Sequence, residues 1–297
     1  MGTSWSAQFA APPAVDVPGV EAAIVARLDD LVRQMSHWSA DSVLCRFNRA
    51  EPGTWIVLPP DFAQVMARSL VIAEASNGAF DPAIGRLADI WGFGPPGPKP
   101  TPSADDLGRA RAQSGWSRLA FDMEAKRLRQ PGGLALDLSG IAKGYAVDAL
   151  SALLIRMGAR HHLVEIGGEL AGAGLRPDGE PWWVDLECPP AAQGYVAPLR
   201  IALHGLAVAT SGSYVRGDHT LDPRSGQPVD NGCISVSVVA KNAMSADGWA
   251  SALTVLGHDI GIALADRIGL AGRIIHVDSH GHVSEALSKP MKAMLEG

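Results

Sequence analysis

The chain has 297 residues, 47% of them hydrophobic and 19% charged, with a formal net charge of -6. That length buries a full core, either as one large domain or as two closely packed halves. The acidic balance offers no broad basic field, which excludes duplex nucleic acid as a partner and leaves room only for a local basic pocket that takes a small anion.

In chain order, the first twenty residues have neither a Lys/Arg-led start nor the apolar core of a secretory leader. The chain as it stands therefore reads as cytoplasmic. No run is long and apolar enough for a transmembrane segment. The opening MGTSWS matches the formal N-myristoylation pattern, Gly2 with Ser6, but the same stretch fits an alternating strand over Trp5–Phe9. Apolar residues at helical spacing, Ile24, Leu28, Leu31, Val32 and Met35, predict a helix over Val20–His37. The following SHWSADSVLCRFNRA shows no regular period. Its Trp38 reads first as core and second as a platform for ring stacking, and Asp41-Ser42 as the cap of a short turn.

A helix is predicted over Pro60–Ala75, opened by Pro60-Asp61 and closed by Asn77-Gly78. Phe80, Asp81 and Pro82 then precede a short helix and the glycine-flanked Trp91-Gly92-Phe93. The proline-rich PPGPKPTP is an extended loop, read as a stiff spacer. A helix over 103–112 and a hairpin over 118–129 lead to the stretch LDLSGIAKGYAVD, Leu136–Asp148. There a short apolar run predicts a strand, Ser139-Gly140 a turn, and the stripe Ala146, Ala149, Leu150, Leu153, Leu154 and Met157 a helix starting at Ile141. The turn then sits at a helix N-terminus, which suits a phosphate or carboxylate. Asp137 and Lys143 flank it with one charge of each sign. The plainer reading is a connection with a capping Asp and a solvated Lys. It is not a Walker A loop, since no Gly-Lys-Ser/Thr follows at the required spacing.

HHLVEIGGELAGAG reads as a strand ending in glycines, whose adjacent His161 and His162 face opposite sides and cannot share a metal. Strands are predicted over 182–187, 198–209 and Ile234–Val239. The intervening ATSGSYVRGDHTLDPRSGQPV is a loop unusually rich in different polar groups. In the helix predicted over Ala243–Leu256, Asp247 and Ser251 lie i, i+4 on one face. They are either a capping Asp with a packing Ser, or two hard oxygen ligands for Mg²⁺ or Ca²⁺. A further helix, the strand RIIHVD, a turn and a last strand complete the chain, with His276, His280 and His282 assigned to that hairpin. Cys45, Cys188 and Cys233 form no CxxC pair and read as buried thiols of a reducing compartment.

Taken together and in order, MGTSWS, SVLCRFNR, SNGAFDPAIGRLADIWGFG, LDLSGIAKGYAVD, EIGGEL, AVATSGSY, HTLDPRSGQP and SVSVVAKNAMSADGWASALTVLG resemble the ApbE family of flavin transferases. The resemblance implies an α+β, T-fold-related fold of mixed or antiparallel sheets with flanking helices. It implies a single domain over 1–297 with an FAD cleft between two halves. The implied reaction splits FAD at its pyrophosphate and passes FMN to a Thr or Ser hydroxyl of an acceptor flavoprotein subunit, leaving AMP. Such acceptors are subunits of sodium-translocating NADH:quinone oxidoreductases, Rnf complexes or related flavoproteins. Met1, Trp38, Ala79, Phe80, Asp81, Asp137, Lys143 and Leu221 are the implied FAD contacts. Gly140 and Ala250 through their carbonyls, with Asp247 and Ser251, are the implied Mg²⁺ shell.

The chain departs from the family pattern in having Ser251 where Thr is usual. It also has no leader or lipoprotein cysteine, so that a periplasmic location would need a natural start upstream, and its Met1 is also the initiator.

In this scheme Mg²⁺ and a Lys offset charge gathering on the pyrophosphate oxygens. A neutral hydroxyl nucleophile needs a positioned base, for which His219 in the polar loop is the candidate. Substrate positioning is its alternative role. Two other functions share these residues: an FAD pyrophosphatase, in which water replaces the acceptor, and a non-catalytic FAD-binding protein.

Overall fold

The computed structural model describes residues 3–10, 15–212 and 220–296. The chain divides into two compact units, one made of Met1–Leu28, Ile141–Asp218 and Asp230–Gly297, the other of Asp29–Gly140 and His219–Val229. In chain order the elements are β1 Trp5–Ala10, α1 Val17–Met35, α2 Val43–Arg49, β2 Trp55–Val57, α3 Pro60–Ala75, α4 Gly85–Trp91, α5 Ala104–Gln113, β3 Ala120–Asp122 and β4 Arg127–Arg129. They continue with α6 Ala142–Arg156, β5 His161–Ile166, β6 Glu169–Ala173, β7 Trp182–Asp185, β8 Arg200–Leu203, β9 Leu206–Gly212, β10 Leu221–Asp222 and β11 Gln227–Pro228. The last are β12 Cys233–Ala240, α7 Ala243–Ile268, β13 Ala271–Val277, β14 Val283–Leu287 and α8 Lys289–Glu296.

The first unit is built on a seven-stranded sheet in the order β1-β5-β6-β9-β12-β13-β14, antiparallel throughout. Helices α6 and α7 cover one face, α6 over β5 and β6, α7 over β9, β12 and β13. The opposite face carries an apolar cluster of Trp182, Ile201, Leu203, Val208, Val239, Ala271 and Met291, contributed by the β7–β8 hairpin, the sheet and α8. With a layer on each side, β12 has no solvent face. Ser235 and Ser237, which alternate with Ile234, Val236 and Val238 along it, are accordingly buried as deeply as its valines. α7 contains a break at Gly257, φ 79° and ψ -178°, which only glycine adopts easily. The carbonyls freed there, Thr254 and Val255, accept from the side-chain amide of Asn231 at 2.9 and 3.3 Å.

The second unit packs α2 to α5 with a three-stranded sheet, β2-β4-β3, and the short β10–β11 hairpin. Phe47, Phe62, Met66, Leu87, Leu128 and Leu134 are fully buried in it. The amide of Gln130, also fully buried, donates to Phe47 and Leu134 carbonyls and accepts from Gly132 and Leu134 N–H groups. Buried polar groups persist when satisfied in this way.

Several expectations from sequence are corrected. The stretch before Ser139 is extended but not a strand, because Leu136 bonds through both its N–H and its carbonyl to the side chain of Asn48. Its neighbours Ala135 and Asp137 bond the backbone of Gly85 and Pro82. A helix, α2, lies where no period was visible. It is only seven residues long, and its Ser42 cap accepts from Cys45 N–H at 3.0 Å. HHLVEIGGELAGAG is a hairpin, β5–β6, since Gly167 (φ 60°) and Gly168 (φ 96°) reverse the chain in two residues. The predicted 198–209 strand is two, β8 and β9, broken at His204-Gly205. The helix α3 keeps the bounds read from its Pro60-Asp61 opening.

Candidate active site

The N-terminus of α6 is the point where the first unit gathers charge. Its N-cap is Ile141, φ -152° and ψ -26°, whose side chain accepts nothing, so the first N–H groups depend on partners from elsewhere. One partner is Asp247 of α7, whose Oδ2 accepts from Gly144 N–H at 2.9 Å. The exchange is reciprocal. Asp148 of α6 accepts from Ala243 and Met244 N–H at the start of α7, at 2.7 and 2.9 Å. Gly144 permits this close crossing, since a Cβ there would strike the Ala243 carbonyl and stand 2.8 Å from the Asp247 Cβ. Two helix starts, each with a positive dipole end, therefore meet with a carboxylate from the opposite helix on each.

Lys143, in the first turn of α6, places its ammonium on Glu169 Oε1 and 3.9 Å from Asp247 Oδ1. Glu169 is 2% and Asp247 5% exposed. Burial, and then the neighbouring Asp247, pushes the Glu169 carboxyl up to about 8, against the pull of Lys143. Burial raises Asp247 as well, opposed by Lys143 and by the Gly144 N–H. Asp148 rises to about 6 for the same reason. One ammonium thus serves two buried carboxylates, and Glu169 Oε2 is buried without a hydrogen-bond partner.

A carboxylate at Asp247 with the Ser251 hydroxyl and the Ala250 carbonyl on the same helix is a set of hard oxygens of the kind Mg²⁺ takes. Of the residues expected to hold it, Asp247 and Ala250 are buried and Ser251 is half-buried on the same helix, while Gly140 closes the turn ahead of Ile141 in the second unit. The Ala250 carbonyl also accepts from Thr254 Oγ1 at 2.8 Å. Among the described residues no three His, Cys, Asp or Glu side chains gather as a metal cluster. A site of one carboxylate, carbonyls and a hydroxyl does not need such a cluster.

Of the described residues expected to contact FAD, Lys143 lies in the first unit and Trp38, Ala79, Phe80, Asp81, Asp137 and Leu221 in the second. Trp38 is 65% exposed, with its ring 5.4 Å from that of His37, so it is not the core residue its type first suggested. Ala79, Phe80 and Asp81 are buried beyond the left-handed Asn77-Gly78 pair. Asp81 spends both oxygens on backbone, accepting from Ala83 N–H at 2.7 Å and Trp116 N–H at 3.0 Å, and burial pushes it up to about 6. Leu221 packs its side chain against Leu87 and Ala110. Asp137 accepts from Ser139 N–H at 2.8 Å and lies 3.6 Å from His37 Nδ1.

Asp137 and His37 also line a cavity of about 620 Å³ with Arg49, Arg86, Asp89 and Gly94-Pro95-Pro96. The proline loop read as a bare spacer thus forms part of a cavity wall. Met1 and His219 lie outside the described residues.

Two acids escaped the sequence reading. Asp148 closes the quoted LDLSGIAKGYAVD stretch, five residues beyond Lys143. Glu169 follows the Gly167-Gly168 turn in EIGGEL, and the signal available for it was a carboxylate opening an otherwise apolar strand.

The ApbE family model matches residues 1–274. The chain is 32% identical to a Haemophilus influenzae FAD:protein FMN transferase, over 89% of this chain and 80% of the relative. A Vibrio cholerae protein of the same name is 34% identical over 90% of this chain and 82% of its own. Among solved structures, the Pseudomonas stutzeri flavinyl transferase ApbE superposes with a TM-score of 0.91 at 35% identity, covering 100% of this chain and 94% of that one. The flavin transferase ApbE from Vibrio cholerae gives a TM-score of 0.92 at 32% identity, covering 99% and 96%.

Proposed function

Because the chain belongs to the ApbE family, we propose that it is an FAD:protein FMN transferase. It splits FAD at the pyrophosphate and attaches FMN by a phosphoester to a Thr or Ser of an acceptor flavoprotein, releasing AMP. The observation that carries this reading is the half-buried Lys143 with the buried Glu169 and Asp247 at two converging helix starts. It brings a cation for a polyanion and hard oxygens for a metal ion together at one place. A protein that only stored flavin has no use for so costly a charge group.

Asp247 would hold Mg²⁺ with the Ser251 hydroxyl and the carbonyls of Ala250 and Gly140. When bound, the ion supplies Lewis acidity against charge developing on the pyrophosphate oxygens. Lys143 donates to the same oxygens. His219 takes the proton from the attacking hydroxyl. Met1, Trp38, Ala79, Phe80, Asp81, Asp137 and Leu221 bind FAD, with Trp38 presenting a ring face and Leu221 only its backbone, since its side chain is packed away. We take 1–297 as one functional domain of this type.

The free thiols Cys45, Cys188 and Cys233 support a reducing compartment. Among the described residues no helix is long and apolar enough to cross a membrane.

The test is incubation with FAD, Mg²⁺ and an acceptor protein, followed by intact mass analysis. A mass gain equal to one FMN less one water is the expected result, since the acceptor hydroxyl loses its proton as the phosphoester forms. AMP and free FMN with an unmodified acceptor would instead identify a pyrophosphatase.

A further inference from the structure

Lysine is a poor device for precise placement. Its ammonium rides on a flexible four-carbon stem that has many rotamers to lose. Lys143 overcomes this through a partner from another element. Glu169 is the first residue of β6, delivered by the Gly167-Gly168 reversal and paired with Ile166 across the hairpin. The turn itself is held, because Glu165 Oε1 accepts from Gly168 N–H at 2.9 Å. The Glu169 side chain is 3% exposed and that of Lys143 22%, so the carboxylate backs the ammonium and the ammonium is the more accessible of the two. Asp247 Oδ1, at 3.9 Å, is beyond hydrogen-bond reach and does not anchor Lys143.

We propose that Glu169 is a positioning residue for the transfer reaction, fixing the Lys143 ammonium where the FAD pyrophosphate is broken. The proposal rests on the flavin-transfer reading above. A purely structural role does not account for the site. A buried carboxylate with its Oε2 unsatisfied costs stability, and a well-packed apolar residue would serve a fold better. Holding an ammonium ready before the substrate arrives gives that cost a return, since misplacement of a reacting group by about 1 Å can lower a rate about 10²-fold.

The experiment compares wild type, Glu169→Gln, Glu169→Asp, Lys143→Met and the double variant Lys143→Met/Glu169→Gln. AMP release is followed with FAD, Mg²⁺ and an acceptor protein, and FAD affinity is measured separately by flavin fluorescence. Glu169→Gln is expected to lower kcat about 10²-fold, with FAD affinity changed less than about threefold. Glu169→Asp, which keeps the charge, is expected to fall between it and wild type. In the Lys143→Met background Glu169→Gln is expected to cost nothing further, which a residue acting independently of Lys143 would not show.

The proposal is overturned if Glu169→Gln keeps kcat within twofold of wild type, or costs its full factor without Lys143. It is equally overturned if the loss falls on FAD affinity with kcat unchanged. Should Glu169→Gln not fold, a wild-type kcat in Glu169→Asp with FAD affinity lost would overturn it too. A wild-type protein that releases no AMP fails the transfer reading itself, a result separable from every one of these.

Discussion

Asp81 in the second unit and Asp247 in the first are buried to a similar depth, 8% and 5% exposed, and are used in opposite ways. Asp81 commits both oxygens to backbone N–H groups, so its charge is consumed in fixing a turn. Asp247 commits Oδ2 to Gly144 and keeps Oδ1 within 3.9 Å of the Lys143 ammonium, beside a second buried acid. Depth alone does not separate the two. Counting which lone pairs are already taken separates them: Asp81 has both oxygens bonded to backbone, while Asp247 keeps one that faces an ammonium.

The largest expected effect asks whether that charged group suffices without a base. His219→Ala should still bind FAD and Mg²⁺ but lose transfer by roughly 10²–10⁴-fold, mainly in kcat. A rise in KM for FAD with kcat unchanged would assign His219 to binding.

Asp247→Asn keeps an oxygen for the Gly144 N–H and removes the charge. It should reduce transfer by about 10²–10³-fold while the melting temperature holds, a loss comparable to removing one electrostatic stabiliser from an active site. Normal turnover of FAD by this variant without excess metal would erase the contrast with Asp81.

Trp38→Ala should weaken FAD binding by about 1–3 kcal/mol, the worth of stacking on an aromatic face, with the fold intact. Calorimetric titration with FAD measures it, and a protein that unfolds instead would return Trp38 to the core.

The smallest effect is on pH dependence. Burial lifts Asp81 from 3.8 to about 6, so the folded chain takes up a proton that the unfolded chain holds only at lower pH. The stability this contributes is fully present below 3.8 and is lost as pH rises through about 6. Urea midpoints of wild type should therefore fall across that window more than those of Asp81→Asn. Asp148 shifts in the same direction, and His162, lowered by burial, acts oppositely, so the difference between the two proteins is the quantity to read. Parallel curves would remove the titration assigned to Asp81.

What was legible in the sequence was local. Pro60-Asp61 and Asn77-Gly78 bracketed α3, and the stripe from Ala146 to Met157 marked α6. Asp247 and Ser251 stood out because one helical turn separates them. The unread parts depend on partners far along the chain. The apolar run before Ser139 looks like a strand, but its hydrogen bonds go to Asn48, Pro82, Gly85 and Gln130 and not to a neighbouring strand. Glu169 is unremarkable as one acid in EIGGEL, and only its approach to Lys143, 26 residues earlier, gives it meaning.

The mutual capping of α6 and α7 joins residues 103 positions apart in one direction and 95 in the other. On a ribosome adding about 5–20 residues per second, the start of α6 then waits several seconds before the chain that supplies Asp247 has been made. Until then the Gly144 amide lacks the acceptor it has in the folded chain. A nascent chain released or cleaved before Asp247 would carry Lys143 and Glu169 with the start of α6 uncapped. The junction of the two helices should therefore form late in synthesis and in one step, once both carboxylates are present.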